Sequence, residues 1–245
     1  MHSSVVEKID QSEQFMPMKS RITQLIRPVP AFDLVQRHSS LRPQVEAYIE
    51  SKFKASYGAT PSEYLPLLLT LRCVDQLSGA AGISIAALEE RLFLEQYLDL
   101  PVEQVLQQTL GSEVQRQGIV EIGNLVATTN GASRIIFIVL ASVLYQAGFE
   151  WMVFTATKPL LAGFKKLGFE NYSLGKAELA RLSSDSAESW GSYYQNKPEV
   201  VAGRLSCAMD IIQSRKLFKC VQTLYKSRID SLSAQIRQQL PEDVS

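Results

Sequence analysis

The chain has 245 residues, 46% hydrophobic and 20% charged, which is globular composition and argues against disorder or a repetitive fibre. Its 25 basic side chains balance 25 acidic ones, so no net positive field draws it onto nucleic acid or anionic lipid. Cys73, Cys207 and Cys220 form no CxxC pair, and His2 and His38 are its two histidines, so the ligand count argues against a metal site and for a reducing compartment.

The first 20 residues mix charges and hold no apolar h-region, so they do not read as a secretory signal. The longest apolar run, Ile135–Tyr145, would cover as helix about half a bilayer core, which suits a buried helix. The expected location is cytoplasmic, and residues 1–25 read as a flexible leader. Leu41–Tyr57 carries Val45, Tyr48, Ile49, Phe53 and Tyr57 at helical spacing, with Pro43 early and Gly58 at the stop. Pro66–Cys73 reads as a buried strand, Ser78-Gly79 as a turn, and GAAGISIAAL as its hairpin partner, whose two glycines signal a bulge or close backbone approach.

Arg91–Asp99 fits extended and helical backbone equally. Pro101 opens a helix at Val102–Leu110 that Gly111 ends. Ile119–Thr128 reads as a strand broken by Gly123, then Thr129-Asn130-Gly131 as a tight turn. Ser133 is the expected N-cap of a helix from Arg134 to Gln146. Phe149–Ala156 is a further strand, Lys158–Leu167 a short helix, and Phe169 starts another extended piece. This strand–helix alternation predicts an α/β fold with a mixed central sheet of about six or seven strands and helices on both faces. After Gly203 one long helix is expected. Phe218, Val221, Tyr225, Leu232 and Ile236 form its narrow stripe, and Arg215, Lys216, Lys219, Lys226, Arg228 and Arg237 make it basic. That stripe would pack on the domain, pair with a second copy as a homodimer, or lie peripherally on a membrane.

Three places could carry chemistry. Glu121 sits among apolar residues in IVEIGNL and needs compensation if buried; it serves as a general base or ammonium anchor, or pairs structurally with Arg91 or Arg116. The corner from Thr128 to Ser133 presents helix N-terminal amides that suit phosphate. Ser189–Tyr194, SWGSYY, either walls an apolar pocket or caps the core. A Ser–His–Asp hydrolase is disfavoured, because no G-x-S-x-G motif and no suitably placed histidine exist.

The blocks RLFLEQYLD (91–99), IVEIGNL (119–125), GFEWMVFTAT (148–157), FKKLGF (164–169) and SWGSYY (189–194) together resemble the thermostable hemolysin family of bacterial proteins. They also resemble, more distantly, the GNAT-like N-acyltransferase fold, and within it the acyl-homoserine-lactone synthases, whose R-L-L block Arg91-Leu92-Phe93 is similar to and whose E-[ST]-R block Glu121–Asn124 partly matches. The resemblance implies a GNAT-like domain over residues 26–205, with 206–245 as a C-terminal basic amphipathic helix.

It also implies transfer of a fatty acyl group from an acyl thioester to a small-molecule amine acceptor, giving an amphiphilic product. Glu121, Arg91, Asn124 and Tyr193 would then be the catalytic set. Leu125, Val126, Ala127 and Thr128 of a splayed strand, with Asn130, Gly131, Ala132 and Ser133, would hold the donor. Phe93, Phe154, Trp190 and Tyr194 would line the substrate. The Gly-rich loop of GNAT enzymes reads TTNGAS here, so acyl-CoA and the phosphopantetheine of acyl carrier protein both stand as donors. The tyrosine often used there as general acid falls at Phe164, which passes that role to water or to a tyrosine such as Tyr193. No metal and no nucleic-acid partner are expected. The other class of reading is a membrane-active hemolysin without catalysis.

Overall fold

A computed structural model describes residues 29–182 and 189–240; the expected leader, residues 1–25, lies outside them. The strands are β1 (Ala31–Val35), β2 (Leu67–Cys73), β3 (Gln76–Ile85), β4 (Ile119–Ala127), β5 (Trp151–Ala156), β6 (Tyr172–Lys176) and β7 (Glu199–Arg204). They form one seven-stranded sheet in the order β1-β2-β3-β4-β5-β7-β6. Strands β4 and β5 run parallel, and the other neighbouring pairs are antiparallel. The helices are α1 (Arg42–Tyr57), α2 (Val102–Leu110), α3 (Asn130–Ala147), α4 (Lys158–Lys166), α5 (Leu205–Ser214), α6 (Lys216–Leu224) and α7 (Lys226–Arg237).

Both faces of the sheet are covered, as the alternating pattern predicts. On one face α1 buries Val45, Ile49 and Phe53 against Leu68, Ala80 and Val126. Beside it α2 buries Val102 and Leu106 against Ile119, Trp151 and Val153. The other face carries α3, with Ile136, Val139, Val143 and Leu144, and behind it α5–α7.

Three expectations are corrected, and one left open is decided. The β2–β3 turn lies at Val74-Asp75, both at positive φ, and not at Ser78-Gly79. Gly79 sits inside the strand because the Ile136 side chain fills the place a Cβ would take. Helix α3 begins at Asn130: Thr129 is extended and its Oγ1 accepts the Ala132 N–H at 3.2 Å, so Thr129, not Ser133, is the cap. Arg91–Asp99 contains a 3-10 turn, Phe93–Tyr97. The single C-terminal helix is three helices that change direction at Arg215 and Tyr225.

Candidate active site

The site arises where the parallel pair comes apart. Strand β4 pairs with β5 only from Ile119–Ile122 against Trp151–Phe154. Beyond that the two edges separate. The cause is Asn124, at φ +48°, which puts a bulge into the β3–β4 ladder between Ala80 and Gly82. The extra residue inverts the alternation of side chains. Val120 and Ile122 face α3, yet Val126, also even-numbered, faces α1. Asn124 is stapled in this conformation, because its Oδ1 accepts the Leu65 N–H at 2.9 Å and its Nδ2 donates to the Glu63 carbonyl at 3.2 Å. Gly82 faces this staple: a Cβ there would lie 2.7 Å from Asn124 Oδ1. The residues Tyr64–Pro66 are fixed in turn by buried Arg42, which donates to the carbonyls of Pro66 and Leu65 at 2.8 Å and pairs with Glu46.

The gap between the two strands is a cavity of about 940 Å³ that reaches both faces of the sheet. On the α3 side it is apolar, lined by Phe137, Leu140, Met152, Phe154, Leu160 and Phe164. On the α1 side it meets Arg91, Phe93, Tyr97, Glu121, Trp190 and Tyr194. Along its wall run Leu125, Val126 and Ala127. Thr128 donates its N–H to the Ser78 carbonyl at 2.9 Å. Strand alternation therefore points the Val126 amide at β3 as well, and turns the amides of Leu125 and Ala127 into the gap.

Glu121 is the central group, and 3% of it is exposed. Its carboxylate accepts the N–H groups of Phe93 at 2.9 Å and Leu94 at 3.1 Å, the opening amides of the 3-10 turn. Neither Arg91 nor Arg116 pairs with it, which corrects the structural ion-pair reading. Arg116 instead joins Glu95 and Glu103, both at 2.8 Å. Burial pushes the Glu121 carboxyl up to about 8; the two amides oppose this, and the charges of Glu95 and Glu89 reinforce it. Glu95 goes the other way. Burial raises it, but Arg116 and the Val102 and Leu92 amides outweigh that and hold it below the usual carboxylate range. Glu95 thus ties down the turn whose amides hold Glu121.

The remaining expected residues fall into four groups. Arg91 shares the cavity with Glu121 but is exposed, and donates through Nη2 to the Glu95 carbonyl at 2.8 Å. Phe93, Phe154, Trp190, Tyr193 and Tyr194 line the cavity. Thr128, Gly131, Ala132 and Ser133 do not line it; Thr128 Oγ1 bonds the Tyr48 hydroxyl at 3.0 Å, and α3 starts three residues beyond Ala127. Asn124 lines the cavity, and its side-chain amide is engaged by residues 63–65, so it shapes the gap. The Ser189–Tyr194 loop is bound to the end of α1, where Ser192 N–H meets the Tyr57 carbonyl at 2.8 Å. Gly191, at φ +50°, lies so close to that carbonyl that no Cβ fits. Tyr193 packs edge-on to Tyr57 and against Trp190, and burial pushes its phenol up.

Sequence reasoning missed Tyr97 and Arg42. The Tyr97 and Tyr194 hydroxyls share a 2.5 Å hydrogen bond in the cavity wall. Burial pushes Tyr194 up to about 12, partly offset by that bond, and raises Tyr97 further, so both stay protonated near neutrality. Tyr97 falls in the stretch that fits extended and helical backbone equally, and nothing local marks Arg42, whose carbonyl partners lie more than 20 positions away. Among the described residues no cluster of His, Cys, Asp or Glu could hold a metal ion, and no helix is long and apolar enough to cross a membrane.

Residues 35–209 match a family model described as thermostable hemolysin. No curated protein matches the chain. Among solved structures, FeeM, an N-acyl amino acid synthase from uncultured soil microbes, is similar with TM-score 0.50 at 11% identity, over 78% of this chain and 98% of that one. TofI in an apo form gives 0.48 at 13% identity over 71% and 89%. BjaI, a CoA-dependent acyl-homoserine lactone synthase solved with SAM and isopentyl-CoA, gives 0.47 at 10% identity over 82% and 90%. At such identities the likeness is one of fold, and the fold is the GNAT-like one that the sequence blocks resemble.

Proposed function

The chain belongs to the thermostable hemolysin family, and on that premise and the geometry of the split sheet we propose that it is an N-acyltransferase, moving an acyl group from a thioester to an amine. One observation carries the reading. A buried carboxylate without a cationic partner among the described residues, pushed up to about 8, stands in a cavity opened by the splaying of a parallel strand pair.

The parts divide the work. The donor's pantetheine arm lies in the gap as an extra strand would, its amides meeting the free backbone groups of Leu125 and Ala127. The Leu125 N–H, nearer the point where the strands part, stabilises the oxyanion formed from the thioester carbonyl, and the Leu125 carbonyl and the Ala127 groups hold the arm. The acyl chain takes the apolar side, among Phe137, Phe154 and Phe164. The acceptor enters from the α1 side. Glu121 removes a proton from its ammonium. The neutral amine attacks the carbonyl carbon, the C–N bond forms and the C–S bond breaks. Of the two protons that nitrogen loses, one ends on the departing thiolate and one passes through Glu121 to solvent. Coenzyme A and acyl carrier protein carry the same pantetheine thioester, and both are donors to test. The product joins an acyl chain to a polar head. Such an amphiphile lyses membranes without the protein touching them, which accounts for a hemolysin family name.

The test is untargeted lipid mass spectrometry of cells expressing the chain or its Glu121→Gln variant, with free-thiol release by the purified protein from acyl-CoA and acyl carrier protein. New N-acylated species with the parent and none with the variant are expected. No thiol release from either donor across a broad amine panel would overturn the reading.

A further inference from the structure

The 3-10 turn Phe93–Tyr97 gathers three chemically different groups onto one wall of the cavity. Its first amides, Phe93 and Leu94, hold the Glu121 carboxylate. Its Glu95 carbonyl holds one arm of the Arg91 guanidinium. Its last residue supplies the Tyr97 hydroxyl, bonded to Tyr194. An acid group, a cation and a hydroxyl pair are thus anchored within five consecutive residues, and all three line the same cavity.

The cation is not neutralised there. Arg91 makes no ion pair with a described residue, and one of its arms is fixed by a neutral carbonyl while its other N–H groups remain open. Arg42, by contrast, is spent on Glu46 and three backbone carbonyls. The tyrosine pair likewise has donor capacity left. One hydroxyl donates to the other, and the second proton is free for a ligand. Since burial pushes both phenols up, that proton stays in place across the working range.

Resting on the acyltransfer reading, we infer that the amine acceptor is an α-amino acid with an apolar or aromatic side chain. Its amine faces Glu121, its carboxylate is held by Arg91 and the Tyr97–Tyr194 hydroxyls, and its side chain lies against Phe93 and Trp190. Cation and hydroxyl together suit a carboxylate, which accepts from both. A plain amine would leave both unanswered. The amino and carboxyl groups of an α-amino acid lie close together, which suits a base and a cation tethered to one short turn, Glu121 to the Phe93 and Leu94 amides and Arg91 to the Glu95 carbonyl. Phe93 and Trp190, with ring centroids 6.3 Å apart, offer an apolar surface beside them. The product class is then an N-acyl amino acid, an anionic amphiphile.

The experiment offers the purified full chain an acyl thioester with L-phenylalanine, L-phenylalaninamide or phenethylamine, and measures kcat/KM for each amide product by mass spectrometry. Phenylalanine should exceed the two carboxylate-free amines by roughly 10–100-fold, the worth of a charge-assisted hydrogen-bond set. Arg91→Gln should bring that ratio towards one, chiefly through a raised KM for phenylalanine, and Arg91→Lys should restore part of it. Tyr97→Phe should lower the ratio less. Equal use of acid and amide by the parent, or a ratio unmoved in Arg91→Gln, would overturn this inference while leaving acyltransfer standing. Acylation of none of these three amines would overturn this inference alone; no thiol release across the broad amine panel as well would overturn acyltransfer too.

Discussion

Glu121 shows how far one residue's chemistry can be read without coordinates. A carboxylate among apolar strand neighbours needs compensation, and that argument is sound, but the compensating groups are two backbone amides, which leave no trace in sequence. Arg91 and Arg116 were the natural cations to name; one is exposed and the other is claimed by Glu95 and Glu103. The difference has measurable consequences. The folded state holds the Glu121 proton up to about pH 8, whereas the ordinary value is 4.5. Between those values the native chain binds a proton that the unfolded chain has lost, so the stability Glu121 contributes is full below about 4.5 and falls as pH rises to about 8. Glu121→Gln removes that slope. Its melting temperature relative to the parent should climb between pH 5 and pH 8, and not drop as it would for a broken ion pair. Activity should meanwhile fall roughly 10²–10⁴-fold, the contribution of a general base. In the parent, kcat/KM should rise with pH towards about 8, since only the ionised carboxylate can take a proton. Full activity in Glu121→Gln would end the catalytic role.

At the scale of elements, hydrophobic spacing and terminal residues place most helices and strands, because those signals are local. Val102–Leu110 and its Gly111 stop coincide with the helix found. Elements decided by distant partners were not legible. The start of α3 depends on which hydroxyl reaches the Ala132 amide, and Gly79 looks like a turn residue only until Ile136 is packed on it. The bulge of β4 is the instructive case. Gly123 marked a break, but the residue that bends the strand is Asn124, one of the few non-glycine residues that tolerate left-handed backbone. Its staple to residues 63–65 joins segments about 60 positions apart, which no local pattern encodes. Asn124→Gly should keep the backbone and lose the staple, while Asn124→Ala loses the staple and adds strain of about 1–2 kcal/mol. Denaturant melts should therefore rank parent, then Gly, then Ala. Both variants should raise the KM for the acyl donor, because the gap is no longer held open. Equal stability of Gly and Ala variants would show that the bulge is set elsewhere.

Over the whole molecule, the C-terminal segment decides between an enzyme scaffold and a tail that works on membranes. Its apolar stripe is used inside the chain: Phe218, Val221, Tyr225, Ile229, Leu232 and Ile236 are buried in the core shared with α3 and the sheet. Its basic residues are largely spent there too. Arg215 caps α4 at the Leu167 carbonyl, Arg228 binds Asp33 and the Phe32 carbonyl of β1, and Arg237 reaches the Gln146 carbonyl near the end of α3. Two of these cations sit at helix C-termini, where the helix dipole favours positive charge. Sequence showed the stripe and the charge but not their destination, since a narrow seam fits a domain surface, a second copy or a bilayer alike. Packing behind α3 matters to the site because Phe137 and Leu140, on the opposite side of that helix, line the cavity. A tail that served only to lie on membranes would be dispensable for folding. Here, ending the chain at residue 204 would strip the back of α3 and expose Ile138, Ala141 and Ser142, whose hydroxyl meets Gln222 of the tail, to water. The truncated chain should lose cooperative thermal unfolding altogether. Leu232→Ala, a milder probe at a fully buried position, should cost about 2–5 kcal/mol and leave residual activity in proportion to the folded fraction. A truncated chain that melts cooperatively while losing lysis would instead return the tail to the membrane.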